Sequence, residues 1–273
     1  MIEAHIFVVD RYEFKTKKLP ASFDGAKFLY LVDLHNCHYG RYNNKLKASI
    51  EKEDPDYVLI GGDFLSKNDD SYDSAIDLLT WLASRYPVYF ANGNHESKMK
   101  LYPEEYDNIY QEFYHMSVKA GVKHLSNVIA YIKRGDDVIA LDGLEVSLDH
   151  YGRVNRVELE NKDIINAIGK RNPKHMHIML AHSPNYLKAY SEWGADLVLS
   201  GHNHGGIARI PGVCGVLSTE AVLFPKYTKG FYSMNDTKML VSAGIGGHTI
   251  KARFFNPPEI LMITMKKDND NGT

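Results

Sequence analysis

Lys27-Phe28-Leu29-Tyr30-Leu31-Val32-Asp33-Leu34-His35 opens with an apolar, β-prone run and ends in two metal-binding side chains, a carboxylate and an imidazole. The arrangement recurs four times. Residues 57–60 run into Gly62-Asp63, 87–90 into Gly93-Asn94-His95-Glu96, 177–180 into Ala181-His182, and 196–199 into Gly201-His202-Asn203-His204-Gly205-Gly206. Each polar set is expected just past a strand end, where open α/β sheets place their active sites. Side by side, these ends would bring two Asp, one Asn and five His into one pocket, enough for two divalent ions.

The segments between these runs read mostly as helices. Asn43 or Asn44 can cap a helix whose Leu46 and Ile50 face the sheet, and Pro55 ends it. Residues 69–86 carry Ala75, Ile76, Leu79, Leu82 and Ala83 at helical spacing, and Pro87 marks the change back to strand. Such alternation gives parallel neighbours. Residues 103–120 place Tyr106, Ile109, Tyr110, Phe113 and Ser117 on one stripe, with Gly121 as the stop. Residues 128–144 read as two strands around Gly135-Asp136-Asp137, the start of a second sheet. Helices are expected at 159–168 and 184–190, and short strands at 212–217, 230–232, 239–242 and 259–265. Ligands spread from Asp33 to His204 must meet in space, so residues 1–265 are read as a single domain, with 266–273 as a polar, disordered tail.

Composition narrows the function. Hydrophobic content of 44% and charged content of 24% are those of a globular protein. Lys plus Arg (32) nearly balance Asp plus Glu (34), so a formal charge of −2 provides no basic field to hold nucleic acid or an anionic membrane. Lys15, Lys17 and Lys18 read as a solvated face. Cys37 and Cys214 are too far apart in sequence to suggest a disulfide framework, which fits a reducing compartment, and Cys37 reads as a small buried hydrophobe. No apolar stretch approaches ~18 residues, and Met1-Ile2-Glu3-Ala4-His5 does not read as a signal peptide. The expected location is cytoplasmic.

In their order, D-x-H, G-D, G-N-H-E, H and G-H-x-H, these motifs resemble the calcineurin-like metallophosphoesterases. Ser242-Ala243-Gly244-Ile245-Gly246 and Arg253-Phe254-Phe255-Asn256-Pro257-Pro258-Glu259-Ile260 resemble the ending of the small single-domain bacterial phosphodiesterase branch. The resemblance implies a four-layer αββα sandwich, two mixed β-sheets flanked by helices. It also implies a dinuclear hydrolase, with Asp33, His35, Asp63 and His204 on one ion and Asp63, Asn94, His182 and His202 on the other. Asp63 would bridge, and Gly62 would let the backbone turn so that its carboxylate points forward. The D-x-H and H-x-H ligands are expected to point the same way as alternate residues of extended chain. Imidazole with oxygen ligands suits Mn²⁺, Fe or Zn²⁺. Such ions, roughly 3.5–4 Å apart, clamp phosphate oxygens and activate a bridging hydroxide.

The family's equivalent of His95 donates a proton to the leaving oxygen or holds a phosphate oxygen. Glu96 could orient His95 or act as a helix-end acid, and Gly205 and Gly206 are expected to give phosphate close backbone access. Two positions depart from the family pattern, Ser66 where a second acid often follows G-D, and Val32 where Ser is common. The substrate implied is a small-molecule or lipid-linked phosphodiester or pyrophosphate. A phosphomonoesterase is the alternative, and a nuclease would want a basic groove. A non-catalytic scaffold of the same fold would have lost ligands, whereas all eight positions are filled. The remaining histidines read as core or surface residues, with His38, His150 and His248 in loops expected to border the pocket, and Arg153 and Arg156 read as surface arginines preceding a helix, with a grip on a second phosphate as the alternative.

Overall fold

The computed structural model describes residues 6–68, 70–152, 156–206, 209–210, 214–216, 223–247 and 253–269. Its strands are β1 (Val8–Thr16), β2 (Lys27–Leu31), β3 (Tyr57–Ile60), β4 (Val88–Phe90), β5 (Lys123–His124), β6 (Val128–Arg134), β7 (Asp137–Leu144), β8 (Met176–Ala181), β9 (Leu197–Ser200), β10 (Arg209–Ile210), β11 (Cys214–Gly215), β12 (Gly230–Met234), β13 (Thr237–Val241) and β14 (Glu259–Lys267). The α-helices are α1 (Asn44–Glu53), α2 (Asp73–Ala83), α3 (Asn94–Leu101), α4 (Ile109–Ala120), α5 (Asn161–Ile168) and α6 (Leu187–Trp193). One sheet has the order β1-β14-β2-β3-β4-β5 and the other β12-β13-β9-β8-β7-β6. Only β14/β2, β12/β13 and β6/β7 pair antiparallel within them.

The pleat explains the four layers. Phe28, Tyr30 and Leu59 turn inward to meet Leu141, Ile178, Leu180 and Leu199 of the opposite sheet. Their neighbours Leu29, Leu31, Val58 and Ile60 point outward against Leu46 and Ile50 of α1, Ala75, Leu79 and Leu82 of α2, and Phe113 of α4. On the far side Met179, Ala181 and Val198 meet Ile164 and Ile168 of α5 and Leu187 and Trp193 of α6. Strands apolar on both faces are what a sheet covered twice requires. The αββα sandwich expected from the motifs is the architecture observed.

Several boundaries differ from expectation. The helix read over 103–120 is two: a 3₁₀ turn at Pro103–Tyr106, then α4, separated by Asp107 and Asn108 in left-handed conformations. Asn43 precedes α1, but its side chain accepts from Tyr39 N–H instead of capping the helix. Lys266 and Lys267, read as the start of a disordered tail, continue β14 opposite Lys15 and Thr16. Lys18 is tied to Asp196 at 2.6 Å and is not simply a solvated charge. Residue 69, which opens the helix read from 69, and parts of the strand read over 212–217 lie outside the described residues.

His124, on the edge strand β5, packs between the Phe90 and Tyr114 rings and shares a 2.7 Å hydrogen bond with Ser117 Oγ. Burial lowers its pKa from 6.5 to about 4. The unfolded chain therefore takes up a proton below about 6.5 that the folded chain refuses until about 4. Stability present above that window is lost as pH falls through it, by on the order of 3 kcal/mol. Chemical denaturation of the protein and of His124→Gln should show the difference between them narrowing with acidity. Parallel pH profiles would contradict this.

Candidate metal centre

The five polar strand ends meet at one edge of the two sheets. Asp33 and His35 follow β2, Asp63 follows β3, Asn94 and His95 open α3 behind β4, His182 follows β8, and His202 and His204 follow β9. His35 Nε2 lies 3.0 Å from His204 Nε2, and His204 Nε2 lies 3.9 Å from Asp33 Oδ1. His182 Nε2 is 3.1 Å from Asp63 Oδ2 and 3.7 Å from Asp33 Oδ1. Ligand atoms of Asp33, His35 and His204 lie within 4.8 Å of one another, as do those of Asp63, His182 and His202. His35, Asp63 and His95 form a third such set, which shares His35 with the first and Asp63 with the second.

The backbone that delivers these side chains is not extended. Asp33, His35, Asp63, His202 and His204 all have left-handed φ, between 46° and 67°. Non-glycine residues held there cost on the order of 1 kcal/mol each and persist where surrounding structure over-determines them. In Asp33-Leu34-His35 the two ligands turn into the pocket while Leu34 joins the core, by kinks rather than by strand alternation. Two glycines allow the approach. Gly62 has φ 93°, and a Cβ on it would sit 2.1 Å from Gly93 N; a Cβ on Gly93 would sit 2.2 Å from Asp63 Oδ1. Gly205 is also needed for packing, since a Cβ there would sit 2.4 Å from Asn256 Oδ1.

The donors fit divalent ions. Asn94 Oδ1 is buried without a hydrogen-bond partner among the described residues. His182 Nδ1–H donates to Gly61 O at 2.8 Å, which turns Nε2 towards the carboxylates in the manner of a metal-binding imidazole. Burial opposes a charged ring, but Asp63 and Asp33 override it and push His182 up to about 9, so a proton can answer these anions as a cation would. Burial likewise raises Asp33 to about 7, helped by Asp63. Asp63 feels the same burial, yet His182, His95 and His35 hold it well below the usual carboxylate range.

Glu96 does not orient His95. Its buried carboxylate accepts N–H bonds from Asp63 (2.7 Å), Leu65 (2.8 Å) and Gly93 (2.9 Å), tying the loops after β3 and β4 together. His95 Nδ1 instead accepts the Lys67 N–H at 3.1 Å, which leaves the ring hydrogen of the neutral imidazole on Nε2. Ser66, at the position where an acid is common, accepts from Asn68 N–H. Tyr151 escaped the sequence reading altogether: its ring meets that of His202 at 5.1 Å and lies 6.1 Å from that of His182. No motif marks it, only its place in the loop after β7.

Of the other loop residues, His150 is buried with Nδ1 donating to Val157 O, His38 is exposed, and Arg156 Nε donates to Gly152 O. Arg153 and His248 lie outside the described residues. Cys37 packs partly buried against the core and accepts from Gly247 N–H. Val32 fills the core between the sheets.

Comparison with known proteins agrees with this geometry. Residues 26–206 match the calcineurin-like phosphoesterase family. An uncharacterised metallophosphoesterase of Bacillus subtilis, YkuE, is 25% identical over 276 residues, covering 98% of this chain and 88% of that protein. A Danio rerio transmembrane protein with a metallophosphoesterase domain is 29% identical over 266 residues, covering 95% of this chain but 57% of that one. Thus the chain spans most of the bacterial relative and little over half of the vertebrate one. No helix among the described residues is long and apolar enough to cross a membrane. Among solved structures, the phosphopantetheinyl hydrolase of Mycobacterium tuberculosis aligns with a TM-score of 0.47 at 11% identity, over 80% of this chain and 89% of that one. Because the match runs from the residue before β2 to the glycines after His204, the chain belongs to the calcineurin-like phosphoesterases, which use divalent metal ions to hydrolyse phosphate esters.

Proposed function

We propose that this protein hydrolyses a phosphodiester or pyrophosphate bond with two divalent ions. One would be held by Asp33, His35, Asp63 and His204, the other by Asp63, Asn94, His182 and His202. The observation that carries this reading is the pair of ligand sets that share one buried pocket, with Asp63 Oδ2 facing both: 3.1 Å from His182 Nε2 and 4.0 Å from His35 Nε2. Asp63 Oδ1 meanwhile accepts His95 N–H at 2.8 Å, which fixes the carboxylate's orientation. Mixed imidazole and oxygen donors favour Mn²⁺, Fe or Zn²⁺.

When bound, such ions withdraw charge from phosphate oxygens and lower the pKa of a water held between them. The chain's own residues orient and protonate. His95, in the neutral tautomer set by the Lys67 N–H, offers Nε2–H as a hydrogen bond to a phosphate or departing oxygen, and becomes a proton donor once Nδ1 has taken up a proton and released that N–H. Tyr151 covers the His182 and His202 side and shapes what can enter. A diester also brings less charge than a monoester dianion. Arg253, a buried cation beside the ligands, is already committed to backbone carbonyls, which favours the less charged substrate.

A panel of phosphate esters with Mn²⁺ tests the reading. Diesters and pyrophosphates should show the higher kcat/KM, and chelation should abolish all turnover. Preference for monoesters would make the protein a phosphomonoesterase. Two bound ions with no turnover on any ester would favour a non-catalytic scaffold.

A further inference from the structure

The ending Arg253-Phe254-Phe255-Asn256-Pro257-Pro258-Glu259-Ile260 lies beyond the matched segment 26–206 and supplies none of the assigned ligands. Its polar side chains are nonetheless almost wholly buried, Arg253 at 4% exposure and Asn256 and Glu259 at 1% each. The Arg253 guanidinium donates to the carbonyls of Ala243 (2.8 Å), Gly244 (3.2 Å) and Gly246, and to His204 Nδ1 at 3.3 Å. Asn256 Nδ2 donates to the carbonyls of His204 and Gly206, each at 2.6 Å. Glu259 Oε1 accepts from Ala243 N–H at 2.6 Å.

The loop gripped in this way closes on Asp33. Ile245 N–H donates to Val32 O at 3.0 Å and Gly246 N–H to Asp33 O at 2.6 Å. Gly244 comes so near that a Cβ there would meet Asp33 Cβ at 2.6 Å. Burying a guanidinium is costly, and here its direct hydrogen bonds go to carbonyls while Asp33 and Glu259 act on it electrostatically without bonding it. A metal-binding histidine commonly gives its second ring N–H to an acceptor. In the metal-free ring Arg253 Nη2 faces His204 Nδ1, which puts the ring hydrogen on Nε2. Ligation through Nε2 therefore requires that hydrogen to move to Nδ1 and this contact to open, leaving the carbonyl bonds of Arg253 and Asn256 as the lasting support.

We propose that Arg253, assisted by Asn256, is a positioning residue for the ion site of Asp33, His35 and His204: Arg253 holds Asp33 through the carbonyls of residues 243, 244 and 246, and Asn256 holds the backbone of His204. This rests on the two-ion reading. Partners of metal ligands of this kind typically set affinity by ~10–100-fold. Lysine cannot replace the fork, because one ammonium cannot span the three carbonyls.

Mn²⁺ titration of the metal-free protein, followed by calorimetry and electron paramagnetic resonance, tests this in wild type, Arg253→Lys and Asn256→Ser. Wild type should show two binding steps and an exchange-coupled signal. In both variants one step should weaken ~10–100-fold while the other is kept, leaving a mononuclear signal at limiting Mn²⁺, with metal-free melting unchanged. Wild-type affinities in both variants would overturn the proposal. So would equal weakening of both steps, or loss of the metal-free fold in both, which would make the segment purely structural. A single step in wild type would instead overturn the two-ion reading.

Discussion

Asp63→Asn is expected to abolish turnover while leaving a folded chain. On the proposed reading this carboxylate serves both ions, and an amide presents one neutral oxygen where a shared anion is needed. A metal ion acting on phosphoryl oxygens is worth several kcal/mol, and each ~1.4 kcal/mol is tenfold in rate. The loss should therefore reach ~10³-fold or more. His175→Ala, at a partly exposed ring resting against Tyr131, should stay within a few-fold of wild type. His124→Ala should act on stability rather than on turnover, because its partners are Phe90, Tyr114 and Ser117. Rates measured beside melting curves separate the two effects. Equal loss of activity from all three substitutions would mean the site lies elsewhere.

His95→Ala should keep its metals and lose turnover unevenly. A general acid contributes typically ~10²–10⁴-fold when the departing oxygen needs a proton, and a nitrophenolate leaves without one. The variant should therefore retain a larger share of activity on p-nitrophenyl esters than on alkyl phosphodiesters. The hydrogen bond from Lys67 N–H to Nδ1 sharpens the test, since the neutral ring it holds can only hydrogen-bond through Nε2–H, and a proton-donating ring must first be protonated at Nδ1. Equal losses on both substrates would mean that Nε2–H holds a non-bridging oxygen. Loss of metal would make His95 a ligand.

The centre was legible because its chemistry is local. Each candidate ligand set follows an apolar run that forms a buried strand, and five such runs in order bring the candidate residues to one edge of the two sheets. What stayed hidden was carried by backbone groups and by contacts distant in sequence. Lys67 N–H on His95 and Gly61 O on His182 have no side-chain signature. Glu96 looked like a partner for its neighbour His95, but the turn at Gly93 sends its carboxylate to the Asp63 loop. The left-handed φ of Asp33, His35, His202 and His204 was likewise invisible, since Asp and His do not announce it as glycine does. Val8–Thr16 alternates Tyr12 and Phe14 with Arg11, Glu13 and Lys15, yet it carries no ligand, and a motif-led reading passes over it. Arg253 and Asn256 stood in a segment singled out only as an ending; folding brings them 49 and 52 residues back to His204.

The most direct measurement is the number of divalent ions per chain. Protein purified without chelator and saturated with Mn²⁺ should carry two ions per chain by elemental analysis, with exchange coupling between them in the electron paramagnetic resonance spectrum. Asp63→Asn should lose that coupling. Reproducible binding of one ion per chain at saturation, with full phosphoesterase activity, would contradict the dinuclear account.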